Sequence, residues 1–338
     1  MYIDGFFNMN ARWNKLVRRL GVVLCALVAL AGCAPGHQTA LGSDHETEWQ
    51  PWQVIETQTG RVVASAEWLR DLEDYEIIYL GEEHFNKHHI EAALLILDRM
   101  VSAGIKPTIG IEMFGWDGQP ALDDYLSNDR VGRTEFLEQV RWEQNWGQDF
   151  AAYEPLVAFA RDRHLSIRAM NPPRPLIRRV VKFGLAQVRQ EPEWTQWGMH
   201  QEEIVDDPAY RARILDQLER CHGSGAGAHM QPMYEASMVR DEGMAKTLAA
   251  SLGALRRDSS RAREIIVSYT GAGHVQYGLP VPMRVARRFA GQVKHTTIYM
   301  TSFDSSRAED IRELAREKIA DYIWLTPMSA KGPPPRCR

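Results

Sequence analysis

The chain has 338 residues, of which 44% are hydrophobic and 25% charged, a composition typical of a folded globular protein and unlike that of a disordered chain. A formal net charge of −4 provides no basic field for holding a phosphate backbone, and no DNA- or RNA-binding motif is present, so nucleic acid is not an expected partner. The length fits one large domain or one domain with an insertion.

The first 33 residues have the pattern of a bacterial lipoprotein export signal. Basic residues precede an apolar run at 21–31, which is too short to span a bilayer and is typical of the hydrophobic region of a signal peptide. The run ends in LAGC at 30–33, which resembles a lipobox with Cys33 as the lipidated new N-terminus. The residue after this cysteine is alanine (Ala34) and not an acid, as in lipoproteins that are sent to the outer membrane. We expect a lipid-anchored outer-membrane protein that faces the periplasm or the cell surface; a conventional signal peptide is the alternative.

Residues 34–50 form a polar stretch that we interpret as a membrane tether, and residues 329–338 as a tail. Cys221 and Cys337 remain as the one pair that could form a disulfide in an oxidising periplasm. Because no Cys-x-x-Cys or Cys/His zinc-finger spacing occurs in the sequence, a structural zinc site is not expected.

An alternation of β-rich and helical patterns follows the tether. A hairpin is predicted at 54–55 and 62–63 around Thr59-Gly60. Asn86 is predicted to cap a helix with apolar residues at helical spacing up to Val101. Further strands are predicted at 76–80, 108–111, 165–170, 264–269, 296–300 and 322–325. The alternation predicts a three-layer α/β/α fold, in which helices cover both faces of a mostly parallel central sheet.

The stretch from 172 to about 231 interrupts this alternation. It holds a Pro-Pro-Arg-Pro segment and charge-rich helical patterns but no convincing strand. We therefore predict one α/β domain at 51–328 with a helical insertion at about 172–231.

Three predicted strands end in acids and histidines. The first ends in Gly-Glu-Glu-His with Glu82 and His84, another in Glu112, and a later one in Gly-Ala-Gly-His with His274. Since ligands bind beyond the carboxyl ends of strands in open α/β sheets, these side chains are expected to meet at one edge. Of Glu82 and Glu83, one is expected to be functional and the other solvated.

Two kinds of chemistry suit such a group. His84, Glu112 and His274 form a reasonable ligand set for a divalent metal ion with open coordination positions. Without metal, a histidine beside a carboxylate can serve as a general base. A third interpretation is that these groups only hydrogen-bond one another. His88 is predicted to face the same site if its turn is helical, with His88 or His89 exposed to solvent. The glycine before each His-bearing turn permits a positive φ and a close backbone approach.

The order of several motifs resembles that of the ChaN-like lipoproteins. The Gly-Glu-Glu-His turn with its following His-His is succeeded by IGIEMFGWDGQPALDDYL at 109–126, WGQDFAAYEPLVAFAR at 146–161, AMNPP at 169–173, YEASMVRDEGMAKTL at 234–248 and GAGHVQYGLPVPMRV at 271–285. The resemblance implies an α/β/α core, haem binding and a role in haem or iron uptake at the outer membrane. It also extends to a wider group with erythromycin esterases and Tiki-type metalloproteases, which implies an alternative function as a metal-assisted or His/Glu-based envelope hydrolase. Under that alternative Glu82, His84, Glu112 and His274 are the catalytic residues.

Haem requires an apolar surface and an iron ligand such as Tyr, His or Met. The sequence HMQPMY at 229–234 offers these residue types, so Tyr234 and His229 are the first candidates for the axial ligand. Tyr153 and Tyr277 are further candidates. A small haem surface on one chain is compatible with haem binding across a homodimer.

Overall fold

The computed structural model describes residues 49–147, 149–222, 227–258 and 263–329, without the side chains of residues 220–229. The predicted signal peptide with Cys33, the tether as far as residue 48, Cys337 and the tail from residue 330 lie outside the described residues. The side chains of Cys221 and His229 lie outside them too.

The described residues form one eight-stranded sheet in the order β2-β1-β8-β7-β3-β6-β4-β5. The strands are β1 (Val54–Glu56), β2 (Arg61–Val63), β3 (Ile77–Glu82), β4 (Lys106–Gly115), β5 (Ile167–Asn171), β6 (Glu264–Gly271), β7 (His295–Phe303) and β8 (Tyr322–Pro327). The hairpin β1-β2 and its pairing with β8 are antiparallel, and all other pairings are parallel. The prediction of a mostly parallel sheet is therefore confirmed, and each predicted strand is present.

The described helices are α1 (Ser65–Asp71), α2 (Lys87–Ser102), α3 (Gln119–Ser127), α4 (Arg133–Gln139), α5 (Trp142–Asn145), α6 (Glu154–Asp162), α7 (Arg174–Phe183), α8 (Leu185–Val188), α9 (Pro192–Gln196), α10 (Pro208–His222), α11 (Gly227–Arg257), α12 (Val281–Arg288) and α13 (Ala308–Arg316). Short 3-10 turns occur at Leu72–Asp74, Trp116–Gly118, Phe150–Ala152, Met199–Gln201, Ala272–His274, Gln276–Gly278 and Ser305–Arg307. In the part of the chain that the structure describes, no helix combines the length and apolar character needed to cross a bilayer.

Helices cover both faces of the sheet because alternate strand residues point to opposite sides. Ile78 and Leu80 of β3 belong to a core formed with α1, α2, α3, α4 and α6. Ile77 and Tyr79 of the same strand pack instead with α11 and α12. The three-layer α/β/α architecture is thus confirmed, with the central strands buried on both sides.

The helix α2 begins where its N-cap residue was predicted. Asn86 has extended backbone dihedrals, and its side chain accepts a hydrogen bond from the backbone N–H of His88 at 3.0 Å. The cap satisfies one of the N–H groups that a helix start leaves without an intrahelical partner. Because the helix starts only at Lys87, the turn that carries His84 remains outside it.

The predicted insertion contains helices and no strand among its described residues, 172–222 and 227–231. Its helices α7, α8, α9 and α10 form a separate core with the first half of α11, which includes Leu176, Trp194, Tyr210 and Tyr234. Its predicted end near residue 231 falls inside α11, which continues to Arg257 and packs on the sheet. One long helix therefore joins the helical layer of the insertion to the main core.

Candidate functional site

The strand order places the three predicted polar segments side by side. The strand β6 lies between β3 and β4, and Glu82 at the end of β3 is paired with Gly271 at the end of β6. Glu112 lies in β4, one residue beyond the pair formed by Ile111 and Tyr269. The carboxyl ends of three adjacent parallel strands thus bring these groups to one edge, as the sequence predicts.

Glu82 fixes the imidazole of His84. The Nδ1–H of His84 donates to Glu82 Oε1 at 2.8 Å, and the hydroxyls of Tyr153 and Tyr269 donate to the same carboxylate at 2.9 and 2.7 Å. Glu82 is completely buried, whereas the side chain of His84 is 39% exposed. The carboxylate therefore orients the ring from below and leaves its other edge accessible.

The ionisation of this pair is shifted by burial and by charge. Burial raises the pKa of Glu82, and the hydrogen bonds from His84 and the two tyrosines offset this only in part. Burial lowers the pKa of His84, but the hydrogen bond to Glu82 and the negative charge of Glu112 outweigh it, so the pKa is raised. His84 is consequently placed to donate or accept a proton at the rim of the site.

A second, deeper pair lies behind His84. Glu112 accepts the backbone N–H of Gly271 at 2.7 Å, and its other oxygen lies 3.3 Å from Nε2 of His274. The Nδ1–H of His274 donates to Asp241 of α11 at 2.6 Å, and the hydroxyl of Tyr210 donates to the other oxygen of Asp241 at 2.6 Å. His274 therefore links two buried carboxylates.

His274 is cationic in this setting. Burial lowers its pKa, but the charges of Glu112 and Asp241 outweigh burial and raise the pKa to about 10. Burial would raise the pKa of Glu112, yet the charges of His274, His84 and Arg240 hold it well below its usual range. The Glu112–His274–Asp241 group is thus an ionised network that holds its members in place.

The two glycines at the strand ends are required for close approach. A Cβ on Gly271 would lie 2.8 Å from Cε1 of His84 and 3.4 Å from Glu112, and one on Gly81 would lie 2.9 Å from the Cα of Ala272. Neither glycine has a positive φ, so that part of the expectation is wrong. The glycines matter because the strand ends leave no room for a side chain.

Glu83 is not solvated, contrary to expectation. Its carboxylate accepts hydrogen bonds from the hydroxyls of Thr301 and Ser302 at 2.7 and 2.5 Å and from the Ser302 N–H at 3.1 Å. The neighbouring strand β7 therefore supplies partners that satisfy the acid inside the fold.

His88 and His89 point away from the site. His88 bonds Glu91 at 2.9 Å and packs edge-on against Trp52. His89 is fully buried, accepts the N–H of Glu83 at 2.9 Å through Nδ1, and burial lowers its pKa to about 4. The condition under which His88 was expected to face the site is not met, because the turn at His84 is not helical.

The geometry gives no support to the predicted metal site. Although His84, Glu112 and His274 lie together, the described residues contain no group of three or more His, Cys, Asp or Glu side chains arranged to hold a metal ion. Both ring nitrogens of His274 face carboxylates, Nε2 that of Glu112 and Nδ1 that of Asp241. An imidazole must offer a free lone pair to ligate a metal, whereas both nitrogens of this cationic ring carry protons that point to carboxylates.

Each predicted haem ligand with a described side chain donates its phenol to a carboxylate. Tyr153 is fully buried and bonds Glu82 within the site. Tyr234 is fully buried in the insertion core, and its hydroxyl donates to Asp206 at 2.6 Å. Tyr277 is half-buried and donates to Glu317 at 2.5 Å. Only Tyr277 of these three lies at the protein surface, and haem ligation by the other two would require their bonds to break.

Asp241 and Tyr269 are site residues that the sequence analysis missed. The sequence could have indicated Asp241, because this acid interrupts the apolar stripe of Met238, Ala245 and Leu248 on α11. An acid at a core-facing helical position must find a partner. Tyr269 carried no such signal, since an aromatic residue in a buried strand is ordinary core.

The fold and the site define an α/β protein whose parallel sheet carries paired imidazole and carboxylate groups at its carboxyl edge. Residues 68–285 match the family model described as haem-binding uptake, Tiki superfamily, ChaN. Because the match covers more than half of the chain, the protein belongs to this haem-binding family. The resemblance inferred from the ordered motifs is confirmed.

The structure is similar to that described as cofacial haem binding to ChaN of Campylobacter jejuni, with a TM-score of 0.60 and 16% identity, covering 82% of this chain and 97% of that chain. At this identity the likeness shows the fold. An erythromycin esterase mutant in its open conformation is also similar, with a TM-score of 0.41 and 16% identity over 75% of this chain and 76% of that chain.

Among curated proteins, the chain matches Protein RETICULATA-RELATED 5, chloroplastic, of Arabidopsis thaliana. The two are 20% identical over 273 residues, which cover 74% of this chain and 34% of that protein. The chain thus spans about a third of the length of this relative.

Proposed function

We propose that this protein binds haem and takes part in haem or iron uptake as a lipoprotein of the bacterial outer membrane. The observation that carries the proposal is the family match over residues 68–285. The lipobox-like sequence ending in Cys33 supports the anchor, and the haem complex of the similar Campylobacter jejuni protein supports the ligand.

Tyr277 is the candidate iron ligand that best fits a bound haem. It lines a cavity of about 420 Å³ together with Tyr75, Tyr322 and His295, and tyrosine and histidine are residue types that ligate haem iron. Burial and the hydrogen bond to Glu317 raise the pKa of Tyr277 to about 12. Glu317 is also positioned to accept the phenolic proton, which ligation through a tyrosinate requires. Bound haem would supply an iron centre whose ligand field and potential these side chains tune.

The test is a titration of the purified protein with haemin, followed by its Soret band. We expect saturable binding that weakens at least tenfold in Tyr277→Phe and is unchanged in Tyr234→Phe, whose phenol lies in the insertion core. Absence of a saturable Soret change in the wild type would refute haem binding. Binding that is lost in Tyr234→Phe instead would reject Tyr277 as the ligand.

The anchor is tested separately by fractionating bacterial membranes. Mass spectrometry is expected to find a lipid-modified N-terminal Cys33, and Cys33→Ala is expected to leave the outer-membrane fraction. An unmodified mature chain released by an ordinary signal peptidase would refute the lipoprotein proposal.

A second candidate function is a His/Glu-based hydrolase of the cell envelope. The specific observation in its favour is that Glu82 orients the accessible imidazole of His84 at the mouth of a cavity. This arrangement suits a general base acting on an ester, lactone or peptide. Hydrolysis of such a substrate should be lost in His84→Asn and retained in Tyr277→Phe, and a wild-type protein without hydrolysis of any of the three substrate classes would reject this candidate.

A further inference from the structure

A cavity of about 260 Å³ opens beside His84, between the end of β4 and the helices α7 and α11. His84, Trp146, Asn171, Arg174 and Arg240 are among the residues that line it. Its floor adjoins the Glu112–His274 network, because Asn171 donates to the backbone carbonyl of Glu112 at 2.7 Å. The cavity is therefore continuous with the accessible edge of the imidazole.

Two arginines in this cavity have no carboxylate partner. Within the described chain, the guanidinium of Arg240 has no ion pair or hydrogen bond, and that of Arg174 bonds only the backbone carbonyl of Trp146, at 3.1 Å. Burial, and then the charges of Arg178 and Arg240, lower the pKa of Arg174, and Glu143 offsets this only weakly. Clustered guanidinium groups that repel one another are typical of a site that an anion neutralises.

Two residues that line the cavity carry buried polar atoms with no partner among the described residues. The indole Nε1 of Trp146 and the Oδ1 of Asn171 are buried without a hydrogen bond. The amide orientation of Asn171 is fixed by its bond to Glu112, so its oxygen is the free group. A buried donor left unpaired costs free energy, and the unpaired donor and acceptor together suit a ligand that both accepts and donates hydrogen bonds.

The charge balance around the cavity also favours an anion. Glu82, Glu112 and Asp241 are the buried carboxylates nearby. Glu82 is bonded to His84, and the cationic His274 lies between the other two. Glu112 already accepts from Gly271 as well. The positive charge of Arg240 lowers the pKa of Glu112, although the two side chains form no ion pair. The rim of the cavity therefore remains positively charged.

We propose that this cavity binds a small carboxylate- or phosphate-bearing ligand, whose anionic group is held by Arg174 and Arg240 and whose adjoining polar group faces His84. The chemistry is that of charge-assisted recognition by guanidinium groups. The anion has two conceivable sources, a free small molecule or the propionates of haem. The inference does not depend on haem binding.

The test uses inorganic phosphate and acetate as probes, with the indole N–H resonance of Trp146 as the readout. The resonance is assigned with Trp146→Phe, and the wild type is expected to show a saturable change because the unpaired N–H gains an acceptor. Since a hydrogen bond to a charged group is worth about a tenfold or larger change in affinity, Arg240→Gln and Arg174→Gln should each raise the Kd by about that factor. Arg240→Lys should lose less.

Arg257→Gln is the matched control, because it removes one positive charge from the exposed far end of the same helix, α11. It should bind the probes as the wild type does. Failure of the wild-type resonance to respond, or equal Kd values for Arg240→Gln and Arg257→Gln, would overturn the proposal. The wild-type measurement decides the matter even if an arginine variant does not fold.

Haemin and its dimethyl ester distinguish the two sources. If Arg240→Gln weakens binding of haemin but not of the ester, the propionates occupy the cavity. If haemin affinity is unchanged while the phosphate response is lost, a free anion is the ligand. A protein that responds to phosphate and does not bind haemin would contradict the proposed haem function and leave the anion site standing.

Discussion

The buried pair of His274 and Asp241 makes a measurable contribution to stability. Asp241→Asn keeps the shape of the side chain and removes its charge. The pKa of His274 is raised from 6.5 to about 10, which corresponds to about 5 kcal/mol of interaction with its surroundings. Glu112 and Asp241 share this interaction, so we expect the variant to lose about 2 kcal/mol of unfolding free energy at pH 7.

The loss must depend on pH with a definite sign. Because the pKa of His274 is higher in the folded than in the unfolded protein, its contribution is complete below pH 6.5 and is lost as the pH rises through about 10. Urea unfolding of wild type and variant at pH 7 and at about pH 9 should therefore show a deficit that shrinks at the higher pH.

Tyr210→Phe is the control for this experiment. It removes the neutral hydroxyl that donates to Asp241 at 2.6 Å, and burial and the charge of Asp241 raise the pKa of this phenol far above its usual value. Because both pH values lie below the ordinary pKa of a tyrosine, its cost of about 1 kcal/mol should be the same at both. A deficit in Asp241→Asn that is absent at pH 7, or equal at the two pH values, would refute the reasoning.

Three more outcomes are expected. Because burial lowers the pKa of His89 to about 4, stability present above pH 6.5 is lost as the pH falls towards 4. In His89→Asn the decline in unfolding free energy between pH 7 and pH 4.5 should be smaller by about 2 kcal/mol, and an equal decline would count against a buried neutral imidazole. Gly81→Ala should cost about 1–3 kcal/mol in urea unfolding, because its Cβ would lie 2.9 Å from backbone; Gly132→Ala, which meets nothing within 4 Å, is the control and should differ little from wild type. Gly271→Ala should push His84 away from Glu82 and lower the pKa of His84 in an NMR titration, and an unchanged titration would show that the contact is not tight.

The local elements could be predicted because each is specified by neighbouring residues. Strand β3 is a run of β-branched and aromatic residues, and the side chain of Asn86 can cap only the helix that follows it. Such signals depend on periodicity and on hydrogen bonds over a few positions. They were sufficient for the sheet and for the segments of the site.

Local patterns failed where a side chain finds its partner far away in the sequence. Glu83 appeared free to be solvated, yet its partners Thr301 and Ser302 lie more than two hundred positions later, on the adjacent strand β7. His88 was assigned to the site from helical spacing, but the helix begins after the turn that holds His84. In both cases the strand order or the exact helix start decided the contact.

By itself, the sequence determined the α/β alternation, the family motifs and the delivery of Glu82, Glu112 and His274 to strand ends, since these follow from residue type and spacing along the chain. The tertiary structure alone decided that His84 is the accessible imidazole, that Asp241 engages His274, and that the Arg240 guanidinium has no partner among the described residues. The physical reason is that burial and charge pairing depend on which surfaces pack together, and α11 packs on the sheet beside β6 only in the folded tertiary structure.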